Sequence, residues 1–446
     1  MRKSRALLTA PVVALLVAGL PAFGSVSMGA PKLTNAQPAC APEKGVVNIT
    51  YAAWNTDFAG AVKAFNATHP SIHVTFELTT FRDYQNLFND LAAHKVPDVA
   101  MLEYEVMPAF RLQNGLQDIS ACAAVKDIKS QFPSWEINQV SIGTNAIYGV
   151  PQDVEPLALV YRKDIFTKYN LPVPTTWAQY MSDALKLKAA DPSVKWTDLT
   201  SQDQATFIAL DWQAGARPFV YSGNSFIFDM DSPQMTKVSN YWTTLVKDGV
   251  INSTALPFTP AIYSAWDAGT IATMVVPAYM PDVMKDNAPK SSGDWAVAPV
   301  PQWNAGTVVD GNSGGSAIAV MAGTKHPYAA AVFSEWLGES TAGIEASFGG
   351  IDPELAGANS YNSTPIVSTA YPYFGGQRVL EVFRKASAGV NENFQWAPNM
   401  LAVTNELGDN LAGAMNGSTT IAAAFEKTQA EAAANLKSLG VTVITK

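Results

Sequence analysis

Residues 148–177 read YGVPQDVEPLALVYRKDIFTKYNLPVPTTW. Leu157–Tyr161 form an uninterrupted apolar run of strand length, which predicts a buried strand. Asp153 and Glu155 stand immediately before it, and Pro172, Pro174 and Thr175-Thr176-Trp177 follow a lysine-rich helix start. Carboxylates at the mouth of a strand about to be buried have two explanations. They are solvated at the strand entry or hold a lysine, or they serve a site that needs hydrogen-bond acceptors.

Upstream, Val47–Trp54 alternates and is rich in β-branched and aromatic residues, as a strand requires. Phe58, Ala61, Val62 and Phe65 share one helical face, and Pro70 ends that helix. Ile72–Leu78 and Pro97–Glu103 read as further strands, with one helix between them and another opening at Val106. Strand-helix-strand-helix-strand with apolar strands predicts a parallel α/β unit. In such sheets ligands bind beyond the C-terminal strand ends. Those ends carry Trp54-Asn55, Thr79-Thr80 and Glu103-Tyr104-Glu105. Downstream, helical periodicity recurs over 176–190, 203–215 and 232–249. Strands fall within 263–280, 295–303 and 311–323, and 399–439 is largely helical. No internal repeat interrupts this order, so a second unit is inserted into the first and the chain crosses between them more than once.

The chain has 446 residues, of which 48% are hydrophobic and 15% charged, enough apolar surface for two cores rather than one. Eleven tryptophans supply flat faces for packing or for stacking on a ligand. A net charge of −9 argues against nucleic acid or an anionic membrane as partner. Arg2, Lys3 and Arg5 precede an apolar run and then small residues, so 1–30 reads as a signal peptide cleaved between Gly24 and Ala30. Export implies an oxidising compartment, where Cys40 and Cys122 most simply pair. The four histidines show no metal-binding spacing, and no nucleophile or phosphate-loop motif is present, so no cofactor is expected.

Five segments in register resemble the bacterial extracellular solute-binding proteins of family 1, the maltose-binding-protein-like receptors of ABC transporters. They are VPDV at 96–99, the block 148–180, AWDAGTIATMV at 265–275, WAVAPVPQW at 295–303 and 314–337 from Gly314-Gly315 through a helix. The resemblance implies a type II periplasmic-binding-protein-like α/β fold of two lobes. Each lobe would hold a mainly parallel sheet flanked by helices, with a ligand cleft between them. The first lobe would comprise 45–152 and 308–373, the second 153–307 and 374–446. Hinges would lie near Pro151–Pro156, Thr307–Asn312 and Tyr371–Phe374. The implied function is a non-enzymic, exported monomer in the periplasm or on the outer face of the membrane. It would capture a sugar or oligosaccharide and deliver it to permease subunits.

In that frame Glu155 matches an acid that follows the first crossover, and Asp153 accompanies it. Trp54, Asn55, Glu103, Tyr104 and Glu105 would face the cleft from the first lobe. Tyr279, Trp266 and Trp396 would face it from the second, with Asp203 as a helix cap that could also reach it. Gly314, Gly315 and Ser316 would offer backbone N–H groups. For Trp54 and Trp266 the alternative is plain core packing. Two rival readings share these residues. A secreted glycoside hydrolase would use Asp153, Glu155 and Glu103 as acid and base. A polyamine or other non-sugar receptor would use the same acids and aromatics.

Overall fold

The computed structural model describes residues 40–222, 225–348 and 355–446. The signal-peptide segment, 1–30, lies outside the described residues. In chain order the strands are β1 (Val47–Ala53), β2 (Ile72–Leu78), β3 (Val99–Glu103), β4 (Gly149–Asp153), β5 (Ala158–Arg162), β6 (Lys195–Asp198), β7 (Phe219–Ser222), β8 (Ser225–Phe228), β9 (Ile251–Asn252), β10 (Ile271–Val276), β11 (Trp295–Pro299), β12 (Ser316–Val320) and β13 (Thr442–Thr445).

Two five-stranded sheets anchor two lobes, in the orders β2-β1-β3-β12-β4 and β11-β5-β10-β6-β9. Each has one reversed member. β12 is antiparallel to both β3 and β4, and β5 is antiparallel to both β10 and β11. The other strands of each sheet share a direction, so their C-terminal ends lie along one edge. A third, small sheet in the order β13-β8-β7 caps the second lobe.

The helices follow from periodicity. Phe58, Ala61, Val62 and Phe65 are the buried face of the helix Phe58–Thr68. In the first lobe Tyr51 packs edge-on to Phe58 and Phe333. The second lobe takes most of the tryptophan: Trp177, Trp196, Trp212, Trp242 and Trp295 are all fully buried. Trp177 packs edge-on to Tyr180 and Trp242. The abundance of indole therefore serves packing first. Among the described residues, no helix is long and apolar enough to cross a membrane.

The lobes are joined where the segment after β4 runs beside the segment before β12. Leu157 N donates to Gly311 O at 3.2 Å and Ser313 N donates to Glu155 O at 2.8 Å. Asp310 N donates in turn to Gly389 O at 2.8 Å. Tyr371–Phe374, expected at a hinge, lies against β11, and Gly293 N in the turn before that strand donates to Tyr373 O at 2.8 Å. Cys40 and Cys122 form a disulfide with a Cα separation of 4.9 Å. It ties the start of the described chain to the first lobe.

Candidate functional site

The chain leaves the first sheet at the C-terminal end of β4, so the aligned strand ends of both sheets face each other across an interlobe cleft. Trp54 follows β1 and is half-buried, with its ring edge-on to Phe81 at 5.4 Å. Phe81 follows β2 and is 57% exposed. Next to it Arg82 holds φ 60°, a left-handed conformation that a non-glycine residue adopts at a cost. Its guanidinium lies 5.4 Å from the Phe81 ring centre.

Arg82 pairs with the acids at the end of β3 and just beyond it. Its Nε donates to Glu103 Oε2 at 2.9 Å and its Nη2 to Glu103 Oε1 at 2.8 Å. The same Nη2 donates to Glu105 Oε1 at 2.9 Å, and Tyr84 donates its hydroxyl to Glu103 Oε2 at 2.8 Å. Both oxygens of Glu103 are thus engaged within the protein. Burial pushes Glu105 up to about 7; Arg82 opposes that shift and Glu103 adds to it. The sequence places these acids at the cleft edge but contains no sign that a loop arginine would claim them.

Asp153 is buried and pairs across β4 and β12 with Ser316. Burial raises its carboxyl to about 7 against hydrogen bonds from Ser316. Its Oδ1 is a buried acceptor without a partner in the chain. Glu155 bridges the lobes: its Oε2 accepts from Tyr279 N at 2.9 Å, and its own N donates to Asn312 Oδ1 at 2.7 Å. Burial holds the Tyr279 phenol well above its ordinary range; Glu155 reinforces this, Arg82 opposes it, and Asp203 and Glu103 add to it. The Tyr279 phenol is thus within electrostatic reach of charged groups from both lobes. Gly314 and Gly315 form the tight approach beside these acids. Gly315 has φ 87°, and a Cβ there would lie 2.7 Å from Asp153 O and 2.9 Å from the Tyr104 ring. Gly315 O accepts from Tyr104 N at 3.0 Å, which fixes this loop beside Asp153.

Three expected ligand contacts have partners within the protein. Asn55 Oδ1 accepts from Asp57 N at 2.9 Å and braces the start of the first helix. Trp266 is 3% exposed and donates its Nε1 to Asp198 at 3.2 Å. Trp396 is 6% exposed, donates its Nε1 to Gln139 Oε1 at 2.7 Å and lies edge-on to Phe394 and Trp212. These two indoles belong to packing, because each N–H has found an internal acceptor and no broad face is left open. Asp203 Oδ2 accepts from Thr200 N at 2.7 Å, a turn-capping role. Phe81 and Arg82, which the sequence reading passes over, stand in the cleft instead. The signal was their place directly after a strand's C-terminal end.

Asp153 and Asp198 are both raised to about 7, mainly by burial. A carboxyl whose folded pKa exceeds its unfolded value binds its proton more tightly when folded. Its stabilisation is complete below the unfolded value near 4 and is lost as pH rises through 7. The ligand-free protein is therefore expected to melt at a higher temperature at pH 5.5 than at pH 8. Calorimetry at the two pH values checks the sign.

Residues 51–344 match the model of the family described as bacterial extracellular solute-binding protein. The curated arabinooligosaccharide-binding protein of Halalkalibacterium halodurans is 22% identical over 288 residues, covering 62% of this chain and 63% of that relative. The match thus spans less than two thirds of the relative's length. Two solved structures share the fold along nearly their whole length. The galacto-N-biose-/lacto-N-biose I-binding protein of the ABC transporter from Bifidobacterium longum, in complex with lacto-N-biose, has a TM-score of 0.77 at 23% identity, covering 90% of this chain and 100% of that one. The ABC transporter associated binding protein from B. animalis subsp. lactis, in complex with β-1,6-galactobiose, has a TM-score of 0.73 at 23% identity, with the same coverage. On the family match and this two-lobed fold, the chain belongs to the bacterial extracellular solute-binding proteins.

Proposed function

We propose that this protein is the exported solute receptor of an ABC importer, and that it binds a neutral oligosaccharide between its lobes and passes it to a permease. The observation that carries this is the pairing of the Trp54–Phe81 aromatic ledge with the Asp153, Glu155, Arg82 and Tyr279 polar groups across one cleft. Sugar rings present C–H faces to aromatics and hydroxyls to planar polar groups, so one ligand class satisfies both halves of the site. The sugars bound by the similar proteins named above support the same class. Closure about the paired segments Asp153–Leu157 and Asp310–Ser313 would bring Tyr279 onto the ligand.

Internal pairing argues against the rivals. A glycoside hydrolase needs two carboxyl groups available for acid and base work. Here Glu103 is consumed by Arg82 and Tyr84, and Glu155 accepts from the Tyr279 amide. A polyamine would have to share its acids with the Arg82 guanidinium.

A thermal-shift screen tests the proposal with arabino-oligosaccharides, β-1,6-galactobiose, lacto-N-biose, spermidine and sugar phosphates. A ligand at a thousand times its Kd adds about 4 kcal/mol of stability. A shift with neutral oligosaccharides alone is expected. A shift with spermidine or a sugar phosphate alone would keep the fold and overturn the ligand.

A further inference from the structure

The exposed apolar side chains at the cleft ends of the lobes fall at matching positions. β2 is the edge of the first sheet farthest from the lobe crossings, and β9 is the corresponding edge of the second. Phe81 follows β2 and Phe258 follows β9, both on the C-terminal side that faces the cleft. They are 57% and 55% exposed, the two phenylalanines among the exposed large apolar residues described. Each is accompanied by an exposed leucine, Leu78 at 58% and Leu256 at 45%.

Both turns also hold backbone strain. Arg82 has φ 60° and Phe258 has φ 57°. A bulky side chain in the left-handed region is a true outlier, and such strain persists where the surroundings hold it to aim a group. The bracing around Phe258 is visible. Thr259 donates its hydroxyl to Leu256 O at 2.7 Å, and Asn252 Oδ1 accepts from Thr254 N at 3.3 Å.

The chemistry of the β9 turn narrows what it would meet. Residues 251–262, INSTALPFTPAI, contain no charged side chain. A ring set among threonines and an asparagine suits the C–H face and hydroxyl rim of a sugar. A protein partner would call for a contiguous apolar patch.

We propose that Phe258 is a jaw at the outer end of the cleft, set against the Phe81 end of the Trp54–Phe81 ledge, and that the two jaws hold sugar units extending past those bound on the ledge. The protein then selects chains of three or more units over disaccharides. This rests on the carbohydrate reading above and names the length of ligand it favours.

The test is titration calorimetry of the wild-type protein, Phe258→Ala and Phe81→Ala with arabino-oligosaccharides and β-1,6-linked galacto-oligosaccharides of two to five units. Both phenylalanines are exposed, so both variants are expected to melt close to the wild type. The wild type is expected to gain about tenfold in affinity between two and four units, the worth of one good aromatic contact. Phe258→Ala should lose that gain while its disaccharide affinity stays within about twofold. Affinity that ignores chain length in the wild type, or an equal loss at every length in Phe258→Ala, would overturn the jaws alone. Unchanged titrations with a loss only of uptake in cells would also overturn them, by assigning the rings to a protein contact. A wild type that binds no carbohydrate of any length would sink the receptor reading and the jaws together.

Discussion

Gly311→Ala is expected to destabilise the protein by about 3 kcal/mol, the upper end for a forced steric intrusion. Gly311 lies in the segment that crosses between the lobes, and its carbonyl accepts from Leu157 N at 3.2 Å. A Cβ there would overlap Ala209 O and sit 2.9 Å from the same carbonyl carbon and 3.1 Å from Gln213 N. All three are backbone atoms of the helix Gln204–Gln213 or its neighbouring turn, so no side chain can rotate aside. The crossing segment must lift off the helix. That movement also disturbs the bonds from Glu155 N to Asn312 and from Ser313 N to Glu155, which set the cleft acid. The expected result is a lower urea midpoint together with weakened ligand binding. A variant with the wild-type midpoint would mean that the crossing does not rest on this helix as described.

Reduction of the Cys40–Cys122 disulfide, or its replacement in the double variant Cys40→Ser/Cys122→Ser, is expected to cost about 4 kcal/mol. The bond closes a loop with a sequence separation of 82, and the entropy withheld from an unfolded chain of that loop length gives this figure. For a lobe of this size the melting temperature should fall on the order of 10 °C. The bond fixes the leading segment beside the helix Pro327–Glu339, where Glu43 meets His326 Nδ1 at 2.7 Å. It is remote from the cleft, so affinity for ligand should hold while stability drops. Identical melting curves with and without a reductant would contradict the assignment.

The lobes were legible in the sequence because their strands are short, apolar and separated by helices with a clear 3.6-residue repeat. Leu157–Tyr161 read as a strand because it is an unbroken apolar run, and it overlaps β5, whose Ala158, Leu159 and Val160 are buried between β10 and β11. The small third sheet was not legible. Thr442–Thr445 pairs with Ser225–Phe228 some 200 residues away, and a four-residue tail carries no local sign of such a partner. The acids of the cleft were found by their position at strand ends. Which of them remain open to a ligand depended on Arg82, 21 residues before Glu103 and joined to it only in space. The tryptophans misled for the same reason. An indole at a plausible cleft position says nothing of whether its N–H already has an acceptor, as Trp266 has in Asp198 and Trp396 has in Gln139. Phe81 and Phe258 were hidden because an exposed phenylalanine looks like any other apolar residue until its neighbours are known.

The central claim, that the cleft holds a neutral oligosaccharide without altering it, is tested most directly by one experiment. The mature protein is titrated calorimetrically with the sugar that gives the largest thermal shift, and the sugar is then recovered and analysed by chromatography. Saturable binding at one site per chain is expected, abolished or greatly weakened in a Phe81→Ala/Tyr279→Ala double variant, with the sugar returned intact. Shortened sugar in the recovered fraction, or binding undiminished in the double variant, would contradict it.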